Sequence, residues 1–149
     1  MNVTIQAESS VDAATISRAT ALKLIDAARS ASTAIGFEPA IAVTDLGGHL
    51  RAFERSDTAA FLTADVAIDK AWTASAYGYG THVWNAIITS DPQAAQLAHR
   101  PRLVAVGGGY PILKDGKLIG GIGISGGSYD QDRQACEDAL QSLGFDVVG

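Results

Sequence analysis

The sequence has a single cysteine among 149 residues, Cys136, so no internal disulfide can form, and cysteine usage gives no support for an oxidising compartment. Charge is also sparse. Only 18% of residues are Asp, Glu, Lys or Arg, with a net balance of −5. No basic stripe is present to neutralise phosphates, which argues against nucleic acid as a partner. No apolar run approaches the ~18 residues of a membrane span. The opening stretch MNVTIQAESSVDAATISRA lacks the cationic and apolar segments of a secretory signal. A cytoplasmic protein that makes no use of a membrane is the expectation. The three histidines have no short ligand spacing, so no metal site is expected. Repeats, linkers and low-complexity tracts are missing too, and residues 1–149 read as one domain, able to bury about two-thirds of its unfolded surface. Sparse charge with abundant alanine and glycine implies a weakly polar surface, as on a subunit of a homo-oligomer.

What the chain does have is glycine, and nine of its sixteen glycines fall in Gly107–Gly127, GGGYPILKDGKLIGGIGISGG. Gly121, Gly123 and Gly126 match the G-x-G-x-x-G spacing of dinucleotide-binding turns. That motif needs a helix, a second strand and an acidic residue about 20 positions later. The chain ends too soon for a second mononucleotide-binding half. The segment Gly123-Ile124-Ser125-Gly126-Gly127 likewise matches only part of a G-x-S-x-G elbow, displaced by one residue.

Periodicity divides the chain as follows. Ser9–Ala34 reads as a helix with Ile16, Thr20, Leu24, Ala27 and Ala31 along one side, stopped by Gly36. Ala40–Thr44 and His49–Arg55 read as strands joined at Asp45-Leu46-Gly47-Gly48. Thr63–Tyr79 returns to a helix with a small-residue stripe at Ala64, Ala67, Ala71 and Ala74, Thr63 as its cap and Gly78 as its stop. Asp91-Pro92 opens a short helix, Pro92–Ala98. Leu103–Val106, Tyr110–Leu113 and Lys117–Ser125 read as a three-stranded meander, the last two joined at Asp115-Gly116. Alternation gives the final strand one nearly bare face of Ile119, Gly121, Gly123 and Ser125, the mark of a close neighbour. Gly126-Gly127-Ser128 opens a last helix through Leu143, with Ala135, Ala139, Leu140 and Leu143 on its inner side. The layout is α+β with an antiparallel sheet.

Three ordered segments, Asp45–Asp57, Ala67–Ala74 and Gly107–Asp132, resemble the GlcG/HbpS family of haem-binding or haem-degrading domains, also found as the C-terminal domain of PduO proteins. The resemblance covers roughly residues 10–145. It implies a profilin-like α+β fold, a five-stranded antiparallel sheet flanked by helices, assembled into dimers or larger oligomers. It also implies haem as the one cofactor to expect. Where such proteins often carry Arg-Met-Asp-Gly-Ala, this chain has Arg55-Ser56-Asp57-Thr58-Ala59, which alters a loop beside the implied site.

Several residues are candidates for chemistry. His49 follows a tight turn and could donate to or ligate a bound molecule, or simply solvate the turn. His82 and Trp84 form an aromatic neighbourhood for a planar ligand, or a histidine packed on tryptophan. Lys70, Thr73 and Tyr77 recur at helical spacing, where an ammonium, a hydroxyl and a phenol could converge on an anionic substrate. Lys70 could act as an acid or base if desolvated, or be an exposed partner of Asp65 or Asp69. Arg55 could pair with Asp57 or bind a carboxylate. His99 needs only its helix C-terminus as explanation. Ser125 could donate a hydroxyl or cap a helix. The N–H groups of Gly107, Gly108, Gly109, Gly126 and Gly127 could bind an oxyanion, or the glycines could serve close packing. Two functions follow: an oligomeric binding protein for haem, a related tetrapyrrole or another small ligand, with haem degradation as an added activity, or a cofactor-free enzyme of lyase or isomerase type moving protons on a small organic or aromatic acid through Lys70 or His49. A third reading, an assembly protein without ligand chemistry, stays open.

Overall fold

The alanine-rich start forms its helix late because Ser17 intervenes. In the computed structural model, which describes residues 8–149, α1 spans Arg18–Ile35, and the Ser17 side chain caps it by accepting the Thr20 N–H. The predicted helical stretch before it is not helical over residues 10–17. There Ile16 donates its N–H to the Ile119 carbonyl at 3.0 Å and buries its side chain. Gly36 ends α1 in the left-handed region, φ 107.

Among the described residues four strands, not five, form the sheet: β1 Ala40–Asp45, β2 Leu50–Arg55, β3 Gly109–Lys114 and β4 Lys117–Ser125, all antiparallel in the order β2-β1-β4-β3. Leu103–Val106 is not a strand. Arg102 precedes it at φ 72, and side chains take the backbone groups a ladder would need: Thr73 accepts from the Val104 N–H, and Asn85 donates to the Ala105 carbonyl.

One face of the sheet carries α1 and α4, Tyr129–Ser142, and between them lies the main core of Leu24, Ile41, Val43, Ile112, Ile122, Ile124 and Leu140. The other face carries α2, Leu62–Tyr77, through a layer of Ala40, Ala42, Ala67 and Ala71. The bare face of β4 is explained by this helix. A Cβ on Gly123 would stand 2.1 Å from the Ala67 carbonyl oxygen, and one on Gly121 2.3 Å from that of Ala71. Backbone rests on backbone there, which only glycine permits. Ile119 leaves the alternation: a bulge opposite Ile112 and Leu113 turns it into the main core.

Two further helical segments follow α2. The helix α3, Thr81–Ser90, was not expected from the pattern, and the predicted short helix is a 3-10 turn at Ala94–His99. Thr63 does not cap α2. Its hydroxyl donates to the Ala60 carbonyl at 2.6 Å, and the N-cap position is Phe61. Ser128 does cap α4, in a reciprocal box with Gln131. No described helix is long and apolar enough to cross a membrane.

Candidate functional site

At the β1–β2 turn the Asp45 carboxylate organises the loop. Its Oδ1 accepts the N–H groups of Gly47 at 2.9 Å and His49 at 3.0 Å, and lies 3.3 Å from His49 Nδ1. Burial raises the carboxyl, but these N–H donors and the imidazole outweigh it and hold Asp45 below its ordinary value. With Nδ1 facing the carboxylate, Nδ1–H is the donor to it and Nε2 is left for another partner. The His49 side chain is 83% exposed. Trp72 of α2 packs against the turn, since a Cβ on Gly48 would lie 2.8 Å from its Cδ1.

Lys70 occupies a different place. It is neither exposed nor paired with Asp65 or Asp69, but buried at 1% exposure between α2, β4 and α4. Its Nζ donates to Asp132 Oδ2 at 3.0 Å and to the Ile124 carbonyl at 2.9 Å. Burial raises the Asp132 carboxyl above its ordinary value, while Lys70 and the Gly127 N–H pull it back down. Cys136 adjoins this group, donating to the Gly108 carbonyl, and full burial pushes its thiol up. Asp132 is the residue that sequence reasoning missed. An acid in the first turn of a capped helix is ordinary, and nothing local marks a partner 62 positions away.

The glycines serve this packing in part. Gly109 donates its N–H to Thr81 Oγ1 at 2.9 Å and Gly127 to Asp132 Oδ1 at 2.9 Å, so two of the five candidate N–H groups are occupied within the chain. A Cβ on Gly108 would stand 2.8 Å from Lys70 Nζ, and Gly107 lies under the Tyr129 backbone and the His82 Cβ. Ser125 is buried beside α2, and Gly126 turns at φ 133 against the Glu38 carbonyl.

The third group is aromatic. Tyr77, Tyr79 and Trp84 stack with centroids 5.1 to 5.6 Å apart, and Trp84 is buried while Tyr77 is exposed. Thr73 lies beside them, its hydroxyl donating to the Arg102 carbonyl and accepting from the Val104 N–H. His82 packs on Tyr110 at 5.3 Å and its Nε2 meets the Gly149 carbonyl, while its Nδ1 is buried without a partner among the described residues. Arg55 donates to the Ala59 carbonyl at 3.1 Å rather than pairing with Asp57.

The candidates therefore fall into three places. Lys70 meets the glycines and not His49; Thr73, Tyr77 and Trp84 converge; His49 stands with Asp45. A groove of about 720 Å³ between the start of α1, the β3–β4 turn and the end of α4 has none of them in its lining. Among the described residues no three His, Cys, Asp or Glu side chains meet as a metal-binding group.

A family model described as haem degrading protein, HbpS-like, matches residues 16–141. An uncharacterised 15.0 kDa protein from the dhaT-dhaS intergenic region of Citrobacter freundii is 36% identical over 132 residues, 85% of this chain and 91% of its own. Among solved structures, a PduOC–haem complex is 29% identical, with TM-score 0.82 over 91% of this chain and 99% of that one. A double mutant of HbpS from Streptomyces reticuli is 28% identical, with TM-score 0.84 over 91% of this chain and 92% of that one.

Proposed function

Because the chain belongs to the HbpS-like family, we propose that it binds haem or a related tetrapyrrole and works as a homo-oligomer. The observation that carries this reading is the likeness, along nearly the whole chain, to a protein solved as a haem complex.

The donor set at the β1–β2 turn fits such a group. His49 has a carboxylate behind Nδ1, the arrangement that leaves Nε2 as the ring nitrogen available to hold iron. His82 fits less well, because its Nε2 is engaged by the Gly149 carbonyl. Haem, when bound, supplies a redox-active iron and a wide apolar plane. The chain's own part is to fix the tautomer of His49 through Asp45 and to offer apolar cover. Leu50, next to His49, is 48% exposed, and Phe53, Phe61 and Leu62 are also exposed. These side chains are suited to contact between copies, which would shelter a plane that one chain leaves open. Haem degradation as an added activity would use the same iron.

Titration with haemin, followed in the visible spectrum, tests the reading. A saturable Soret shift is expected, lost in His49→Ala and kept in His82→Ala. A shift no larger than that of a control protein overturns the proposal, and loss only in His82→Ala overturns the assignment of His49. Light scattering on the haem-loaded protein reads the oligomer.

A further inference from the structure

Beside the aromatic cluster a concavity of about 170 Å³ opens between α2, α3 and the loop that follows the 3-10 turn. Trp72, Tyr77, Trp84, Leu97 and Leu103 form its apolar walls, and the exposed Arg100 is the cation among its lining residues. His49 and Lys70 are not part of it.

Two polar groups here lack partners among the described residues. Trp84 is 3% exposed, yet its Nε1–H meets no acceptor. The Arg100 guanidinium makes no ion pair either. The nearby Asp69 carboxylate takes Arg102, which also lies 4.8 Å over the Trp72 ring, while Arg100 bonds through its backbone alone among the described residues, its N–H donating to the Leu97 carbonyl and its carbonyl accepting the Leu103 N–H. Thr73, by contrast, has its hydroxyl filled on both sides.

Size and chemistry select the ligand. An apolar cavity of about 150 Å³ takes up benzene, whereas clefts for drug-sized ligands begin at about 300 Å³. One ring fits; a tetrapyrrole does not. Flat indole and phenol walls favour a flat guest, and a guanidinium matches a carboxylate with two parallel N–H donors. We infer that this concavity binds a single-ring aromatic carboxylate, the ring among Trp72, Tyr77 and Trp84 and the carboxylate on Arg100. The site recognises without turning over, since neither Lys70 nor His49 reaches it.

Isothermal titration of the intact protein with benzoate tests this. Saturable binding at one per chain is expected. Benzyl alcohol, with the same ring and no charge, binds about tenfold more weakly, and Arg100→Ala loses about the same factor for benzoate. Ala76→Phe, at an exposed lining position, fills the concavity and abolishes binding. Thermal melts confirm that both variants fold. No saturable heat at millimolar benzoate overturns the inference, as does binding that neither variant changes. The haemin titration of Arg100→Ala stays as in the parent chain, which separates this site from the proposed haem site.

Discussion

Replacing Lys70 with methionine keeps the volume of a fully buried side chain and removes one charge of a buried pair. The Asp132 carboxylate would then keep the Gly127 N–H on Oδ1 and have nothing on Oδ2, and the Ile124 carbonyl would lose its side-chain donor. Breaking a buried pair by removing one partner costs about 3–5 kcal/mol, a large part of the about 5–15 kcal/mol that holds a domain folded. With a urea m-value of about 2 kcal/mol/M, a loss of about 4 kcal/mol moves the urea midpoint down by about 2 M. The variant should also respond to pH in a definite direction. Burial already raises Asp132 in the folded chain, and Lys70 is the largest influence opposing it. Without Lys70 the folded value rises further, while the unfolded value stays near 3.8. Between those two values the folded state holds a proton that the unfolded state has released, so stability falls as pH rises through the window. Lys70→Met should therefore be relatively better off in mild acid than the parent chain. Urea melts of the parent, Lys70→Met and the Lys70→Met, Asp132→Leu double variant, at several pH values, measure this. The double variant should recover most of the loss, because it leaves no unpaired charge. A midpoint shift below about 0.5 M, roughly 1 kcal/mol, or a double variant no better than the single one, would refute a buried ion pair as the clamp.

Gly123→Ala sets a methyl group 2.1 Å from the Ala67 carbonyl oxygen, so α2 must lift from β4. A cost of about 3 kcal/mol, at the upper end for overpacking, lowers the melting temperature by about 6–12 °C; a fall of no more than about 2 °C would show that the helix has room to move. Cys136 is fully buried with its thiol pushed up, so iodoacetamide should leave it unmodified in native protein and alkylate it in denaturant, as mass spectrometry can read. Rapid alkylation under native conditions would contradict the burial.

Much of the fold was legible because its signals are local. The Asp45–Gly48 and Asp115-Gly116 turns, the Gly36 and Gly78 stops and the Ser128 cap each depend on neighbours within a few residues. The family resemblance was legible from three ordered segments, and the family match confirms it. What was not legible depends on distant partners. The Leu103–Val106 segment has strand composition, but Thr73 and Asn85 hold it as a loop. The α3 helix hides because its apolar residues Val83, Trp84, Ile87 and Ile88 lie beside Thr81, Thr89 and Ser90, and its N-terminal end carries no side-chain cap. At the candidate sites, helical spacing placed Lys70, Thr73 and Tyr77 on one helix, yet it could not tell which way each turns. Lys70 goes inward to Asp132, while Tyr77 stays exposed, packed edge-on against the buried Trp84. Arg100 drew no notice because a lone surface arginine is ordinary until its missing acceptor is seen.

The direct seating of α2 on β4 has a mechanical consequence. Helices separated from a sheet by long side chains can slide as those chains change rotamer, which gives a binding site some adaptability. Here the Ala67 and Ala71 peptide groups lie on Gly123 and Gly121 with no such layer between them. Trp72 and Tyr77, on the same helix, are thus mounted on a stiff beam. A guest held between them must match the gap already present, and discrimination by shape comes from the backbone rather than from the residues that touch the guest.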